Sequence, residues 1–316
     1  MEKISRRKFL KLAGYGCGSL FLLQLFSRLG LSQLFASEFN GRARRQIQTD
    51  HDLVAVKGED PKIITRKAID ALGGMSKFVK PGATVVVKPN IGWDRAPEYA
   101  ANTNPGVVAV LVEMCFEAGA KRVNVFDNPC NSGERTYESS GIREAAQKAG
   151  AQVYFVDTWN YVKAVFEYDS PMKGWPIFRD AIECDTFINV PVLKHHGLTG
   201  LTMGMKNLMG VCGGSRGLMH FDNARKLADV ADFIKPELTV IDAFRVLTRN
   251  GPTGGNLADV KLTQTVIASA DIALADVYAA RFAGKDPGSI SVITEAVKRG
   301  LVSLDYSNKD ILELTA

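Results

Sequence analysis

Three lysines stand where an apolar run gives way to polar chain. They are Lys88 in Val87-Lys88-Pro89-Asn90, Lys194 in Val192-Leu193-Lys194-His195-His196, and Lys206 in Met205-Lys206-Asn207. One lysine in such a place usually lays its stem along the strand end and keeps its ammonium in water. Three of them beside Asn90 and Asn207 fit a different purpose, which is to neutralise a carboxylate or phosphate while the amides orient it. Phe126-Asp127-Asn128-Pro129 and Ile241-Asp242-Ala243 end two further apolar runs in the same way. Asp127, Asp242 and a histidine are therefore the acid/base candidates, or the ligands of a divalent ion whose identity the sequence leaves open. Adjacent strand residues face opposite ways, so His195 and His196 cannot share one pocket if the strand continues. His195, directly after Lys194, is the one assigned to the site.

The chain between Gly197 and Gly210 is rich in glycine and hydroxyl groups, which suits close backbone approach to an anion. A second glycine-rich stretch, Gly210 to Ser215, precedes Arg216, His220 and Asp222 and reads either as a lid or as a plain connection. Cys130 and Cys212 fall in loops near the strand ends. Three uses fit them: a disulfide in an oxidising compartment, soft metal ligands, or buried thiols.

The elements that must position these groups alternate strand and helix. Strands are predicted at 53–56, 84–88, 122–126, 152–156, 186–190, 238–241 and 265–267. Helices are predicted at 61–72, from Asn104-Pro105 to Gly119, and at 141–149, 223–233, 271–282 and 290–299. Asp60 before Pro61 is an N-cap followed by proline in the first turn. Parallel neighbours need long crossovers, and helices supply them. The predicted class is α/β, a mostly parallel open sheet flanked by helices, with a small inserted hairpin between Trp159 and Pro176. Open sheets of this kind gather ligands outside the C-terminal ends of their strands, where the lysines fall.

Of 316 residues, 39 are Lys or Arg and 34 are Asp or Glu. Six of those bases and one acid lie in the first 36 residues, so the remainder carries 33 of each and is formally neutral. Nucleic acid is excluded as a partner on that balance. The leading segment runs from Ser5-Arg6-Arg7-Lys8-Phe9-Leu10-Lys11 through uncharged Leu12 to Phe26, and then to small residues at Ala36-Ser37. This is the layout of a secretory signal, and the paired arginines resemble the bacterial twin-arginine signal. The apolar stretch is shorter than the ~20 residues a membrane span needs, and glycines interrupt it. The expected organisation is a signal at 1–36, a basic linker at 37–50 and an α/β domain at 51–316. The expected location is periplasmic or otherwise extracytoplasmic. The twin-arginine translocation machinery is the expected partner, and membrane contact comes only through an uncleaved signal. Many passengers of that route load a cofactor before export, which admits a metal or iron–sulfur centre. No GxGxxG follows a predicted strand, and no P-loop, HExxH or CxxC occurs.

Lys88-Pro89-Asn90, Asn189-Val190-Pro191 with Leu193-Lys194-His195-His196, Met205-Lys206-Asn207-Leu208-Met209-Gly210 and Gly251-Pro252-Thr253-Gly254-Gly255 resemble, in order and spacing, the domain of unknown function 362 family. The resemblance covers about Leu53 to Leu314. It implies an α/β domain, a redox or iron–sulfur setting, and pocket positions at Lys88, Lys194, Lys206-Asn207 and Gly251-Pro252-Thr253, which adds Thr253 to the ligand-binding candidates. The clustered cysteines that many relatives carry are absent from this chain. Three functions fit. The first is an exported protein or enzyme holding an anionic small ligand at the strand ends. The second is a redox protein with a metal or iron–sulfur centre held by Cys130, Cys212 and a histidine. The third is a non-catalytic solute-binding or accessory protein.

Overall fold

Four apolar runs with little polar alternation become parallel neighbours, the arrangement in which both faces of a sheet are covered. The computed structural model describes residues 38–316; the expected signal at 1–36 lies outside them. Phe39–Ala316 form one compact unit. The strands, in chain order, are β1 (Glu38–Phe39), β2 (Leu53–Lys57), β3 (Thr84–Pro89), β4 (Arg122–Val125), β5 (Gln152–Val153), β6 (Tyr161–Ala164), β7 (Pro176–Phe178), β8 (Thr186–Val190), β9 (Val192–His196), β10 (Gly200–Thr202), β11 (Leu238–Leu247), β12 (Val260–Ser269) and β13 (Ile311–Thr315). The helices used below are α1 (Pro61–Ala71), α2 (Pro105–Glu117), α3 (Gly133–Ser139), α4 (Ile142–Lys148), α5 (Asp180–Glu183), α6 (Gly204–Asn207), α7 (Asn223–Ile234), α8 (Ile272–Phe282) and α9 (Ser291–Lys298).

The main sheet has the order β13-β2-β12-β11-β8-β3-β4-β5, with β9 beside β11 and β10 beside β9. β11, β8, β3, β4 and β5 are mutually parallel, β12 is antiparallel to both neighbours, and β13 is parallel to β2. The class is α/β with a mostly parallel sheet. Helices α1, α2 and α4 cover one face, packing Ile64, Leu111 and Ile142 against Val85, Val87 and Ile188. Helices α7, α8 and α9 cover the other, with Leu227, Leu274 and Ile293. At roughly 1.5–3 kcal/mol for each large apolar side chain buried, these two layers hold the sheet. The inserted hairpin is present as β6 and β7, antiparallel with Tyr161 opposite Phe178.

Local signals set the helix starts. The Asp60 carboxylate accepts from the N–H groups of Lys62 and Ile63, and the Asn104 amide oxygen accepts from Gly106 N–H at the head of α2. β11 and β12 run further than the sequence predicts, to ten residues each, because eight cross-strand pairs join them on either side of a bulge between Ala243 and Arg245. Strand β13 was not predicted at all. The stretch expected to be a basic linker is anchored at Arg42, whose buried guanidinium donates to Ile234 O and pairs with Glu237. Among the described residues no helix is long and apolar enough to cross a membrane.

Candidate functional site

The sheet register brings the lysines together. Lys88 of β3 lies opposite Asn189 of β8, and β9 continues the strand end beyond Pro191 with Lys194. The chain then turns through β10 into α6, whose Gly204 and Met205 N–H groups are accepted by the Asp276 carboxylate of α8 at 2.5 and 3.0 Å. Asp276 thus fixes the short helix that carries Lys206 and Asn207. Burial raises its carboxyl to about 7, and the two N–H donors work against that rise.

These elements line a half-open cavity of about 70 Å³, bounded among others by Asn90, Asp127, Lys194, His196, Thr202, Lys206, Asn207 and Arg216. Liquid water occupies ~30 Å³ per molecule, so the space suits a small anion and is far below the roughly 300–1,000 Å³ of a cofactor or drug-sized site. Asp127 is the sole acidic residue among its described lining residues.

The three lysines differ in their partners. Lys88 is fully buried and donates to Pro89 O at 2.8 Å and to Asn207 Oδ1 at 3.1 Å, with Asp127 Oδ1 at 2.8 Å. Three acceptors match the three hydrogens of an ammonium. Burial pulls Lys88 down, and Asp127 holds it up. Lys194, 1% exposed, donates to Asn90 Oδ1 at 2.8 Å and to Ala101 O, both neutral. Burial brings it down to about 7; Cys130 opposes this, while Lys206 and Lys88 add to it. Lys206, 9% exposed, has one bond, to the weakly accepting Met209 sulfur at 2.8 Å, and burial brings it to about 8.

The Asp127 carboxylate is occupied. Besides Lys88 it accepts from Ile91 N–H at 2.7 Å and Asn128 N–H at 2.9 Å. Its position is built by Gly210, where a Cβ would stand 1.7 Å from Asp127 Oδ1 and 2.5 Å from Lys88 Nζ. Glycine is required there by space. Asn207 is similarly committed, accepting from Lys88 and donating to Lys88 O and Asn189 Oδ1.

His196 lines the cavity and His195 does not. The Nδ1 of His196 accepts from Leu198 and Thr199 N–H, which leaves the proton on Nε2. Burial, then Lys206 and Lys194, lower His196 to about 3, so it is a neutral donor. His195 Nδ1 accepts from Gly251 N–H at 3.1 Å, tying the Gly251-Pro252-Thr253 loop to β9. Pro252 of that loop reaches the cavity, and Thr253 is not among its lining residues. Asp242 also stands apart from it. It accepts from Asn104 N–H at 2.7 Å and Phe244 N–H at 2.9 Å, fastening the start of α2 to β11, and burial raises it to about 6.

Thr202 gave no sequence signal beyond a hydroxyl near glycines. Its Oγ1 is buried with no hydrogen-bond partner among the described residues, and the residue is 4% exposed and lines the cavity. Arg216 closes one side, donating to Asn128 O at 2.5 Å and Pro129 O at 2.7 Å. Gly213-Gly214-Ser215-Arg216-Gly217 has GxSxG spacing. Ser215 is nevertheless exposed in a loop leading into a 3-10 turn, not held at the strand-to-helix elbow a hydrolase needs.

The metal and disulfide expectations for Cys130 and Cys212 do not hold in this geometry. Both are free thiols, Cys130 exposed at the cavity and Cys212 buried, with burial raising Cys212 to about 12. Among the described residues no group of three or more His, Cys, Asp or Glu side chains is placed to hold a metal. The described residues do not fit a protein-held iron–sulfur centre.

The fold and this lysine-lined strand-end cavity define an α/β protein with a built polar pocket. Residues 85–281 match the family described as Domain of unknown function (DUF362), and the chain belongs to that family. It is 28% identical over 254 residues to the thylakoid-associated protein sll1697 of Synechocystis sp., a match covering 75% of this chain and 74% of that protein. A solved structure, the lactate racemase apoprotein from Thermoanaerobacterium thermosaccharolyticum, aligns with a TM-score of 0.43 and 10% identity over 76% of this chain. The chain spans 58% of that structure's length.

Proposed function

We propose that this protein binds a small oxyanion or carboxylate in the strand-end cavity, and that it does so as an exported protein. The observation that carries the first part is the charge inventory. Lys88, Lys206 and Arg216 meet at or beside a cavity that Lys194 also lines, and among its described lining residues Asp127 alone contributes negative charge. Burying an unpaired cation is expensive unless a counter-charge arrives, and an anionic ligand is that counter-charge. The unpartnered Thr202 hydroxyl and the nearly unpartnered Lys206 ammonium mark where it sits. The neutral His196 supplies a further donor.

Calorimetric titration with sulfate, phosphate and short carboxylates at pH 7 tests this. At least one should bind, and Lys206→Met should weaken it by about tenfold, equivalent to ~1.4 kcal/mol. Absence of binding by the wild type, or unchanged affinity in the folded variant, overturns the reading.

Export rests on the order of residues in the leading segment. Fractionation of cells producing the full chain should find it outside the cytoplasm, and replacing Arg6 and Arg7 by lysine should retain it inside. Equal distribution of the two forms defeats this part.

A further inference from the structure

We propose that Lys194 is a carbonyl-reactive amine, and that the anion held in the cavity belongs to a small oxo-acid which condenses with it to an imine. This rests on the anion-binding reading and extends it to a reaction. The argument begins with a count of hydrogens. Lys88 has three acceptors, one of them a carboxylate at 2.8 Å, so every hydrogen of its ammonium is used. Lys194 has two, Asn90 Oδ1 and Ala101 O, and neither is charged. A neutral amine has two hydrogens and one lone pair. With both hydrogens directed at those acceptors, the third position on nitrogen is the one left for the cavity that Lys194 lines.

The surroundings favour the neutral form. Lys194 is buried and, among the described residues, has no carboxylate bonded to it; burial is the largest influence on it, Lys206 and Lys88 act in the same direction, and Cys130 and Asp127 oppose them. A desolvated lysine beside another cation is a recognised way to make an amine nucleophilic at neutral pH. The neighbouring groups then suit the acid function of the substrate, because Lys206 and Thr202 both lack a strong partner. The cavity's small volume suits a substrate of few heavy atoms, an aldehyde or ketone bearing one carboxylate.

The step balances without a further reagent. The Lys194 nitrogen lone pair forms a bond to the carbonyl carbon while the C=O π pair moves to oxygen. A proton passes from nitrogen to that oxygen, giving a carbinolamine. Loss of the oxygen as water, with the second proton from nitrogen, leaves C=N. Nothing is oxidised or reduced.

The test uses the whole protein with glyoxylate or pyruvate and sodium cyanoborohydride, which reduces the imine to a stable secondary amine, followed by peptide mass mapping. Adduct is expected on Lys194 in preference to exposed Lys148, suppressed by excess sulfate and lost in Lys194→Met. Mapping on the wild type decides the matter even if that variant fails to fold. Sulfate binding without adduct on Lys194 overturns the imine and leaves the anion site standing. Absence of adduct together with absence of binding by sulfate, phosphate and short carboxylates overturns both. Adduct on Lys194 that sulfate does not suppress removes the link between the amine and the anion site, and overturns the proposal as stated.

Discussion

Charge is buried at both ends of the parallel strands, and the two ends resolve it differently. Near the starts of β8 and β11, the Arg42 guanidinium meets Glu237 at 2.9 Å and donates to Ile234 O and Cys184 O, while Glu237 also accepts from Phe187 N–H at 2.7 Å. One cation is matched by one anion there, and the spare polar atoms are spent on backbone. At the opposite ends, Lys88 is matched by Asp127, whereas among the described residues Lys194 and Lys206 have no carboxylate bonded to them and the Thr202 hydroxyl has no partner. A buried ion pair on its own says little about function. An uneven count says more, because the imbalance has to be met either by loss of a lysine proton or by an anion of the kind proposed above.

The largest expected effect breaks the balanced end. Arg42→Met leaves the Glu237 charge buried and alone, and should cost about 3–5 kcal/mol in urea denaturation without changing anion affinity per folded molecule. A loss below 1 kcal/mol would show that the pair is not insulated from water. Next comes Gly210→Ala, whose added methyl would occupy the place of Asp127 Oδ1 and the end of Lys88. Overpacking of this sort costs about 1–3 kcal/mol, and here it should also remove anion binding; retained binding would show that Lys88 and Asp127 are dispensable to the pocket.

Lys206 sharpens the comparison through pH. Its folded value of about 8 lies below the ordinary 10.5 of a lysine. Between those values the unfolded chain holds the extra proton, so its contribution to stability rises with pH from about 8 to 10. Thermal melts of wild type against Lys206→Met should diverge in that window and run parallel below it. Anion affinity should fall across the same range as the ammonium loses its proton. The smallest effect belongs to Thr202→Val, which keeps the branched shape and deletes an orphaned hydroxyl. Stability should hold or rise by up to about 1 kcal/mol, while anion affinity drops several-fold in the calorimeter. Equal affinity would place Thr202 outside the ligand's reach.

Much of the scaffold was legible because burial on two faces leaves apolar runs, and because Asp60 and Asn104 announce their helices by short-range hydrogen bonds. The continuations of β11 and β12 were not legible. Residues such as Arg245 and Lys261 look unlike a buried strand, and only their cross-strand partners, Leu262 and Val246, hold them in one. The same holds for β9, β10 and α6, where a glycine-rich stretch folds into a hairpin and a one-turn helix fastened by Asp276, 72 residues beyond Gly204 in the chain. Cys130 and Cys212 both sat near the strand ends in sequence, yet one faces solvent and the other the core.

The sequence by itself determined the α/β class, the family, and the three lysines with their asparagines, since residue type and spacing along one strand are local properties. The choice between His195 and His196, the unpartnered Thr202, and the separation of Asp242 from the cavity were decided by tertiary structure alone. Each depends on which acceptor or donor a distant segment brings within 3 Å, and hydrogen-bond satisfaction is a property of neighbours in space rather than of neighbours in the chain.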